Sequence, residues 1–214
     1  MSWKVAWLMA LGLVFGIAIA RLTQDPDTGT ATWDASRASG FAGYLLLWAS
    51  VMAGMGIHLR LKLFGQPMTF LLEGHRMISA LALSFVAAHV FSLLVDPVVH
   101  FSPLDVAIPF WSSYRPFQVG LGSVALWLLV FVLASTALSG YIPYRAWRKI
   151  HYLSFPCWVL ALLHGLLNGT DSSAALAIWL YALTTTGAVA LCVYRIFGRD
   201  WVQVGEAPIR PIRR

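Results

Sequence analysis

Long apolar runs alternate with shorter polar segments along most of this chain. An α-helix of about 20 residues is about 30 Å long, which matches the hydrocarbon core of a bilayer. Proline, glycine and charged residues concentrate between the runs, as is typical of turns and loops. The pattern predicts an all-α membrane protein built as a bundle of six transmembrane helices. The predicted spans are residues 5–20, 38–59, 73–95 and 119–138, a fifth run between Lys149 and Asn168, and residues 174–194.

Three parts of the chain differ in composition. Residues 1–37 hold the first apolar run and a polar outer loop, residues 38–197 form the apolar core, and residues 198–214 form a short basic tail. The first run is short for a span, so a cleaved signal peptide is the alternative to a retained first helix. Residues 96–117 contain four prolines and many aromatic residues. They predict an irregular segment in the membrane interface that covers the outer end of the bundle.

The composition supports an integral membrane protein. Of the 214 residues, 59% are hydrophobic and only 11% are charged, far from the balance of a soluble domain. The two cysteines, Cys157 and Cys192, lie within apolar runs and are expected to be small buried side chains with no disulfide between them.

The formal net charge of +6 is explained by membrane topology. If the N-terminus is cytoplasmic, every lysine and arginine except Arg21, Arg37 and Arg115 lies on the cytoplasmic side, in accordance with the positive-inside rule. Most of the nine acidic residues lie in the outer loops. We therefore expect a multi-pass protein of the plasma (inner) membrane with both termini in the cytoplasm, and no nucleic-acid partner.

Four histidines lie in two of the predicted spans. His75 and His89 are 14 residues apart in the third span, and His151 and His164 are 13 residues apart in the fifth. Both spans run from inside to outside, so His75 would face His151 near the inner surface and His89 would face His164 near the outer surface. Imidazole pairs of this kind hold b-type haem iron. The alternative for a lone histidine is a hydrogen bond between helices, but two matched pairs at bilayer depth favour two stacked haems b.

The fifth span cannot be a straight helix if both of its histidines face the third. Fourteen residues return an ideal helix to within about 40° of its starting direction, whereas thirteen leave the second side chain about 140° away. Pro156 lies between His151 and His164 and removes a helical hydrogen bond. We expect a kink or rotation in this span.

Cationic side chains near the histidines are candidates to bind haem propionates. Arg76 and Arg148 adjoin the inner pair, and Tyr114 and Arg115 could serve the outer side. The alternative for these arginines, above all for Arg148, is that they extend to the membrane surface and only set the topology.

The histidine pairs on the third and fifth of six helices, His-x13-His and His-x12-His, resemble those of the ferric reductase-like transmembrane domain superfamily. The segment W-R-K-I-H-Y-L-S at residues 147–154, with the basic turn before it, is also similar to that superfamily. The superfamily includes ferric reductases, NADPH oxidases, STEAP metalloreductases and the bacterial MsrQ subunit. The resemblance covers roughly residues 40–197. It implies haem b ligation by His75, His89, His151 and His164, and electron flow from the cytoplasm to the outer side.

Two departures limit what this resemblance implies. The chain lacks the dehydrogenase domain of ferric reductases and NADPH oxidases, and it has no G-x-G-x-x-G motif after a strand, so no flavin or nicotinamide site is expected. MsrQ also lacks a flavin domain, but it has an arginine at the position of His75. A histidine at this position favours a two-haem relative.

The sequence therefore predicts a membrane oxidoreductase subunit that transfers electrons through haem. The donor would be a cytoplasmic flavoprotein reductase or quinol, and the acceptor would be ferric iron, oxygen or a periplasmic protein. One alternative is an MsrQ-like subunit that donates electrons only to a single periplasmic reductase. Another is a haem-free transport or assembly protein, although the lack of acidic residues within the spans argues against cation-coupled transport.

Overall fold

A computed structural model describes the backbone of residues 30–59, 67–169 and 172–203, and the side chains of residues 31–59, 67–169 and 172–197. Within these ranges all regular secondary structure is helical, as the sequence predicts. The helices are α1 (Thr30–His58), α2 (Met68–Leu94), α3 (Pro103–Ala107), α4 (Pro116–Ala137), α5 (Tyr144–His151), α6 (Ser154–Asn168) and α7 (Ala175–Gln203).

Five helical segments of the described chain are long and apolar enough to cross a membrane, with α5 and α6 counted as one segment. Helices of this kind are typical of a multi-pass membrane protein. The predicted first span, residues 5–20, lies outside the described residues, as do the basic loop at 60–66 and the tail from residue 204. The five segments are Ala31–His58, Met68–Leu94, Pro116–Ala137, Tyr144–Asn168 and Ala175–Phe197.

The core of the bundle lies where α1 meets the later helices. Tyr44 and Leu47 of α1 are buried against Trp158 of α6 and Tyr181 of α7. Large side chains such as Trp179, which is 67% exposed, lie on the outside of the bundle, as expected for helices surrounded by lipid. Such a surface has no need of polar side chains, since the backbone groups are satisfied within each helix.

The histidine-bearing helices are held by their neighbours. Helix α2 packs most extensively against α1, and α6 packs most extensively against α4. Within the described residues, α2 and α6 pack only weakly against each other. The bundle therefore keeps a space between α2, which carries His75 and His89, and α6, which carries His164.

Helix α1 begins eight residues before the predicted start of that span at residue 38. The prediction of a polar outer loop was wrong for residues 30–37, which are helical. Thr32 and Ser36 are buried in the bundle, whereas Asp34 is exposed. The Thr32 hydroxyl donates to the Asp96 carboxylate at 2.7 Å, and both residues are buried. Asp96 also accepts the backbone N–H groups of Val98 and Val99, each at 2.9 Å. This contact fastens the start of α1 to the end of α2. Helix α7 likewise continues past residue 194, the predicted end of its span.

Removing the Asp96 carboxylate is expected to destabilise the outer end of the bundle. Asp96→Ala removes the carboxylate that accepts the Thr32 hydroxyl and two backbone N–H groups, and a typical hydrogen bond contributes about 0.5–1.5 kcal/mol to stability. We expect a lower midpoint of thermal unfolding in detergent. Asp34→Ala is the matched control, because Asp34 forms only an exposed ion pair with Arg37 at 3.0 Å, and such pairs contribute about 0–1 kcal/mol. Equal midpoints of thermal unfolding for the two variants would contradict a stabilising role for the Asp96 carboxylate.

The segment at residues 96–117 is irregular, as predicted, apart from the short helix α3. A capping box begins this helix: the Asp105 N–H donates to the Ser102 hydroxyl, and the Asp105 carboxylate accepts from the Ser102 N–H at 2.8 Å and from its hydroxyl at 2.6 Å. Donation by the Ser102 side chain is the main cause that holds the pKa of Asp105 below its usual value. Phe101 from this segment is buried and meets the Tyr114 ring edge-on at 5.9 Å.

Candidate functional site

The structure brings the four histidines together in the two pairs that the spacing predicts. The ring centroids of His75 and His151 are 6.1 Å apart, with the ring planes at 74°. The ring centroids of His89 and His164 are 6.2 Å apart, with the planes at 78°. All four side chains are partly buried. The two pairs have nearly the same geometry although they lie at opposite ends of the bundle.

A break in the fifth predicted span lets both of its histidines face α2. Helix α5 ends at His151 and α6 begins at Ser154. The break is at Tyr152, the fourth residue before Pro156, where a proline ring clashes with the helical carbonyl group. The Tyr152 carbonyl instead accepts the N–H of Phe155, three residues on, at 3.2 Å. The expectation of an irregular span is confirmed, and the proline accounts for the position of the break.

Three of the four histidine rings are held by a backbone carbonyl group. The Nδ1 atom of His89 lies 2.8 Å from the backbone carbonyl oxygen of Ser36, and Nδ1 of His75 lies 3.0 Å from the backbone carbonyl oxygen of Ser50. On the other side of the bundle, Nδ1 of His164 lies 2.8 Å from the Gln118 oxygen. A carbonyl oxygen can only accept, so Nδ1 carries the proton in each ring. The Nε2 atom is then left with a lone pair, which is the state a metal ligand requires.

A glycine lies four residues after each of these carbonyl groups, and we call Gly40, Gly54 and Gly122 the glycine notches. A Cβ atom at Gly40 would lie 2.9 Å from Nδ1 of His89, and one at Gly122 would lie 2.8 Å from Nδ1 of His164. At Gly54 the nearest atom, Cε1 of His75, would be 3.4 Å away. The missing side chains allow the rings to approach the helix backbone and reach the carbonyl oxygens. The approach is closest at the outer pair.

The notches of α1 repeat with the period of the histidines. Ser36 and Gly40 recur as Ser50 and Gly54 after 14 residues, the same spacing that separates His75 from His89. Because α1 and α2 are consecutive long helices that pack along each other, equal spacings on both align each ring with one notch. The sequence reasoning missed these residues, although the Ser-x3-Gly repeat was a visible signal.

His151 is the exception among the four. Its Nδ1 atom is buried and has no hydrogen-bond partner among the described residues. Its ring stacks instead on Trp147 of the same helix, with centroids 5.0 Å apart and planes at 28°. The inner pair is therefore supported unequally, with His75 held by a carbonyl group and His151 by an aromatic ring.

The two pairs fit the axial ligand set of a haem. Two imidazoles on opposite sides of one metal ion, with metal–nitrogen bonds of about 2.0 Å, have ring centroids about 6.3 Å apart. The observed separations of 6.1 and 6.2 Å agree with this value. Neutral imidazoles with protonated Nδ1 atoms are suitable donors for iron. The His75–His151 and His89–His164 pairs can each hold one iron between them.

A cavity of about 190 Å³ lies beside the outer pair, within a cleft of about 1340 Å³ that includes open space at its mouth. Its walls are mainly apolar, and the segment at residues 96–117 contributes Phe101, Val106 and Tyr114 to them. This segment therefore forms part of the wall of the cavity beside the outer pair. The side-chain oxygen of Asn168 also lines the cavity and is buried with no hydrogen-bond partner within the described part of the chain.

The arginines predicted to bind propionates are exposed. Arg76 forms an ion pair with Glu73 at 2.7 Å, and Arg148 lies over the Tyr144 ring at 5.7 Å. Arg115 lies over the Tyr114 ring at 5.6 Å and does not line the outer cavity, whereas Arg37 does. Propionate binding by Arg76, Arg148 and Arg115 stays a prediction. The sequence reasoning treated Arg37 only as a topological signal.

No protein-family model, curated protein or solved structure shows a significant match to this chain. Within the described ranges, no group of three or more His, Cys, Asp or Glu side chains could hold a metal ion. An iron held in a porphyrin takes only two ligands from the protein. A haem site made of two histidines would therefore not form a group of three or more metal-binding side chains.

Proposed function

We propose that the chain is the transmembrane electron-transfer subunit of a haem b oxidoreductase. In this proposal His75 and His151 bind an inner haem, and His89 and His164 bind an outer haem. The observation that carries the proposal is the pair of imidazole–imidazole separations, 6.1 and 6.2 Å, within helices long enough to cross a membrane. The resemblance of the histidine spacing to the ferric reductase-like transmembrane domain supports the same assignment.

The chain's own residues favour electron transfer over substrate binding. A bound haem supplies one-electron chemistry. A haem held by a histidine on each side would have no coordination position open to a substrate. The carbonyl groups of Ser36, Ser50 and Gln118 fix three of the four rings, so the ligands need little rearrangement when the charge on the site changes.

The spacing along α2 separates the two sites across the bundle. This helix is unbroken from Met68 to Leu94, so the 14 residues from His75 to His89 correspond to about 21 Å. Lysine and arginine are concentrated on the side of the inner pair. By the positive-inside rule we assign the inner pair to the cytoplasmic side and electron exit to the outer pair.

The donor and acceptor are proposed from what the chain does not supply. The sequence has no G-x-G-x-x-G motif after a strand, so we propose a cytoplasmic flavoprotein reductase or a quinol as the donor. The acceptor takes one electron at a time on the outer side, which suits ferric iron, oxygen or a periplasmic redox protein.

Haem quantification and a reduced-minus-oxidised spectrum of the detergent-purified protein test the proposal. We expect about two b-type haems per chain, since each iron requires two histidines and the chain pairs four. A protein expressed with sufficient haem supply that contains none would contradict the proposal. A single haem would instead favour the MsrQ-like role.

Reoxidation of the reduced protein distinguishes the acceptors. A subunit that acts on ferric iron or oxygen is expected to be reoxidised by a ferric chelate or by air at a rate that depends on acceptor concentration. Reoxidation that requires an added periplasmic reductase would assign the chain to the dedicated-donor class.

A further inference from the structure

The fourth histidine lacks the support that holds the other three, and the reason lies on α4. Gln118 and Gly122 form the carbonyl group and notch for His164. Fourteen residues later the same helix has Val132 and Thr136 in the corresponding places. A threonine side chain thus occupies the position where a notch would be, and the inner half of α4 offers His151 no open approach to the backbone.

The Val132 carbonyl group is already bonded to side chains of its own helix. The Thr136 hydroxyl donates to it at 2.9 Å, and the Ser135 hydroxyl donates at 2.8 Å. Both hydroxyl groups therefore face back along α4. The oxygen that could have accepted from an imidazole at this level has two other donors.

Thr136 instead provides the connection to Trp147. The indole Nε1 of Trp147 donates to the Thr136 hydroxyl at 3.4 Å, and the indole face stacks on the His151 ring with centroids 5.0 Å apart. A continuous series of contacts thus runs from the α4 backbone through Thr136 and Trp147 to His151. The Trp147 indole fixes the plane of the His151 ring by stacking on its face, whereas each of the other three rings is fixed by a hydrogen bond from Nδ1 to a carbonyl group.

We propose that Trp147, held by Thr136, is the positioning residue for His151 at the inner site. This inference rests on the proposed function, because it assigns His151 as a haem ligand. The stack sets the ring plane on a short helix that buries none of its residues and ends at the break before Tyr152. Without the stack, the His151 ring can rotate about its side-chain bonds, since no hydrogen bond at Nδ1 restrains it.

Low-spin ferric electron paramagnetic resonance of the purified, haem-loaded protein tests this role, with the inner signal identified by its loss in His75→Ala. We expect Trp147→Ala to shift or abolish the inner signal and leave the outer signal in place. Trp147→Phe keeps an aromatic face and is expected to restore most of the inner signal. Thr136→Val removes the hydroxyl at nearly constant shape and is expected to shift the inner signal with both haems retained. Thr136→Ser is expected to reverse that shift.

Two matched controls separate positioning from general damage. Ser135→Ala removes a hydroxyl that donates to the same carbonyl group, whereas the Trp147 indole donates to Thr136. Trp179→Ala removes an exposed tryptophan. Both variants are expected to leave the inner signal unchanged. An inner signal that is the same in Trp147→Ala as in the wild type would overturn the inference while leaving the two-haem proposal intact. Equal shifts of the inner and outer signals would also overturn it. A wild-type protein without haem would overturn the proposed function itself, and this inference with it.

Discussion

Under the proposed two-haem function, His89→Ala is expected to abolish the outer haem site and leave the inner one in place. The substitution removes one of two axial ligands, and the remaining ligand, His164, lies 6.2 Å away across the gap between the rings. Among the described residues, no further His, Cys, Asp or Glu side chain forms a metal-binding group with this pair, so none is placed to replace the lost ligand. We expect haem per chain to fall by about half and one of the two low-spin signals to disappear.

His75→Ala should have the same effect at the inner site, so the double variant should contain almost no haem. His58→Ala is the matched control, because His58 is an exposed histidine at the end of α1 that belongs to neither pair. Added imidazole provides a second check, since a free imidazole can enter the space left by the ring and restore the low-spin signal. Full haem content in both single variants would contradict the ligand assignment. A single haem that is insensitive to His75→Ala would assign the chain to the MsrQ-like class.

The membrane helices could be predicted from the sequence because lipid demands long apolar runs, and this demand is local. The pairing of His75 with His151 was also predictable. The distribution of charged residues indicated the direction of each span, and the residue spacing indicated the depth of each histidine in the membrane. The limits of the prediction show where tertiary contacts decide. Thr32 belongs to a polar stretch, yet it is helical and buried because Asp96, 64 residues later, accepts its hydroxyl group.

The support of the histidines was harder to predict because backbone carbonyl groups leave no mark in a sequence. Every residue has one, and which carbonyl oxygen a ring can reach depends on the packing of two helices. Only the glycines that expose these oxygens are visible, and a glycine in a membrane helix has other common uses. The matching periods of Ser36/Gly40, Ser50/Gly54 and the histidines of α2 are informative only when the two helices are compared.

Gly40→Ala and Gly122→Ala are expected to impair the outer site although they add only a methyl group. Alanine is the better helix former by about 1 kcal/mol, so the helices themselves should tolerate the change. The new Cβ would lie 2.9 Å from Nδ1 of His89 or 2.8 Å from Nδ1 of His164, which is too close for a carbon–nitrogen contact. The ring must move away, and its hydrogen bond to Ser36 or Gln118 is lost. Loss of a hydrogen bond to a metal-ligating histidine typically weakens metal binding about 10- to 100-fold.

The glycines of this chain provide their own graded series of controls. A Cβ at Gly54 would lie 3.4 Å from His75, an ordinary contact, so Gly54→Ala should weaken the inner site less than the other two variants weaken the outer one. Gly74 precedes His75 directly but faces open space, with no atom within 4 Å of its added Cβ. Gly74→Ala should therefore retain both haems. Haem titration of the four variants in detergent measures the order. If contact with the histidine ring decides the effect, Gly74→Ala is the least harmful of the four changes. If proximity in sequence to a ligand decides it, Gly74→Ala is among the most harmful.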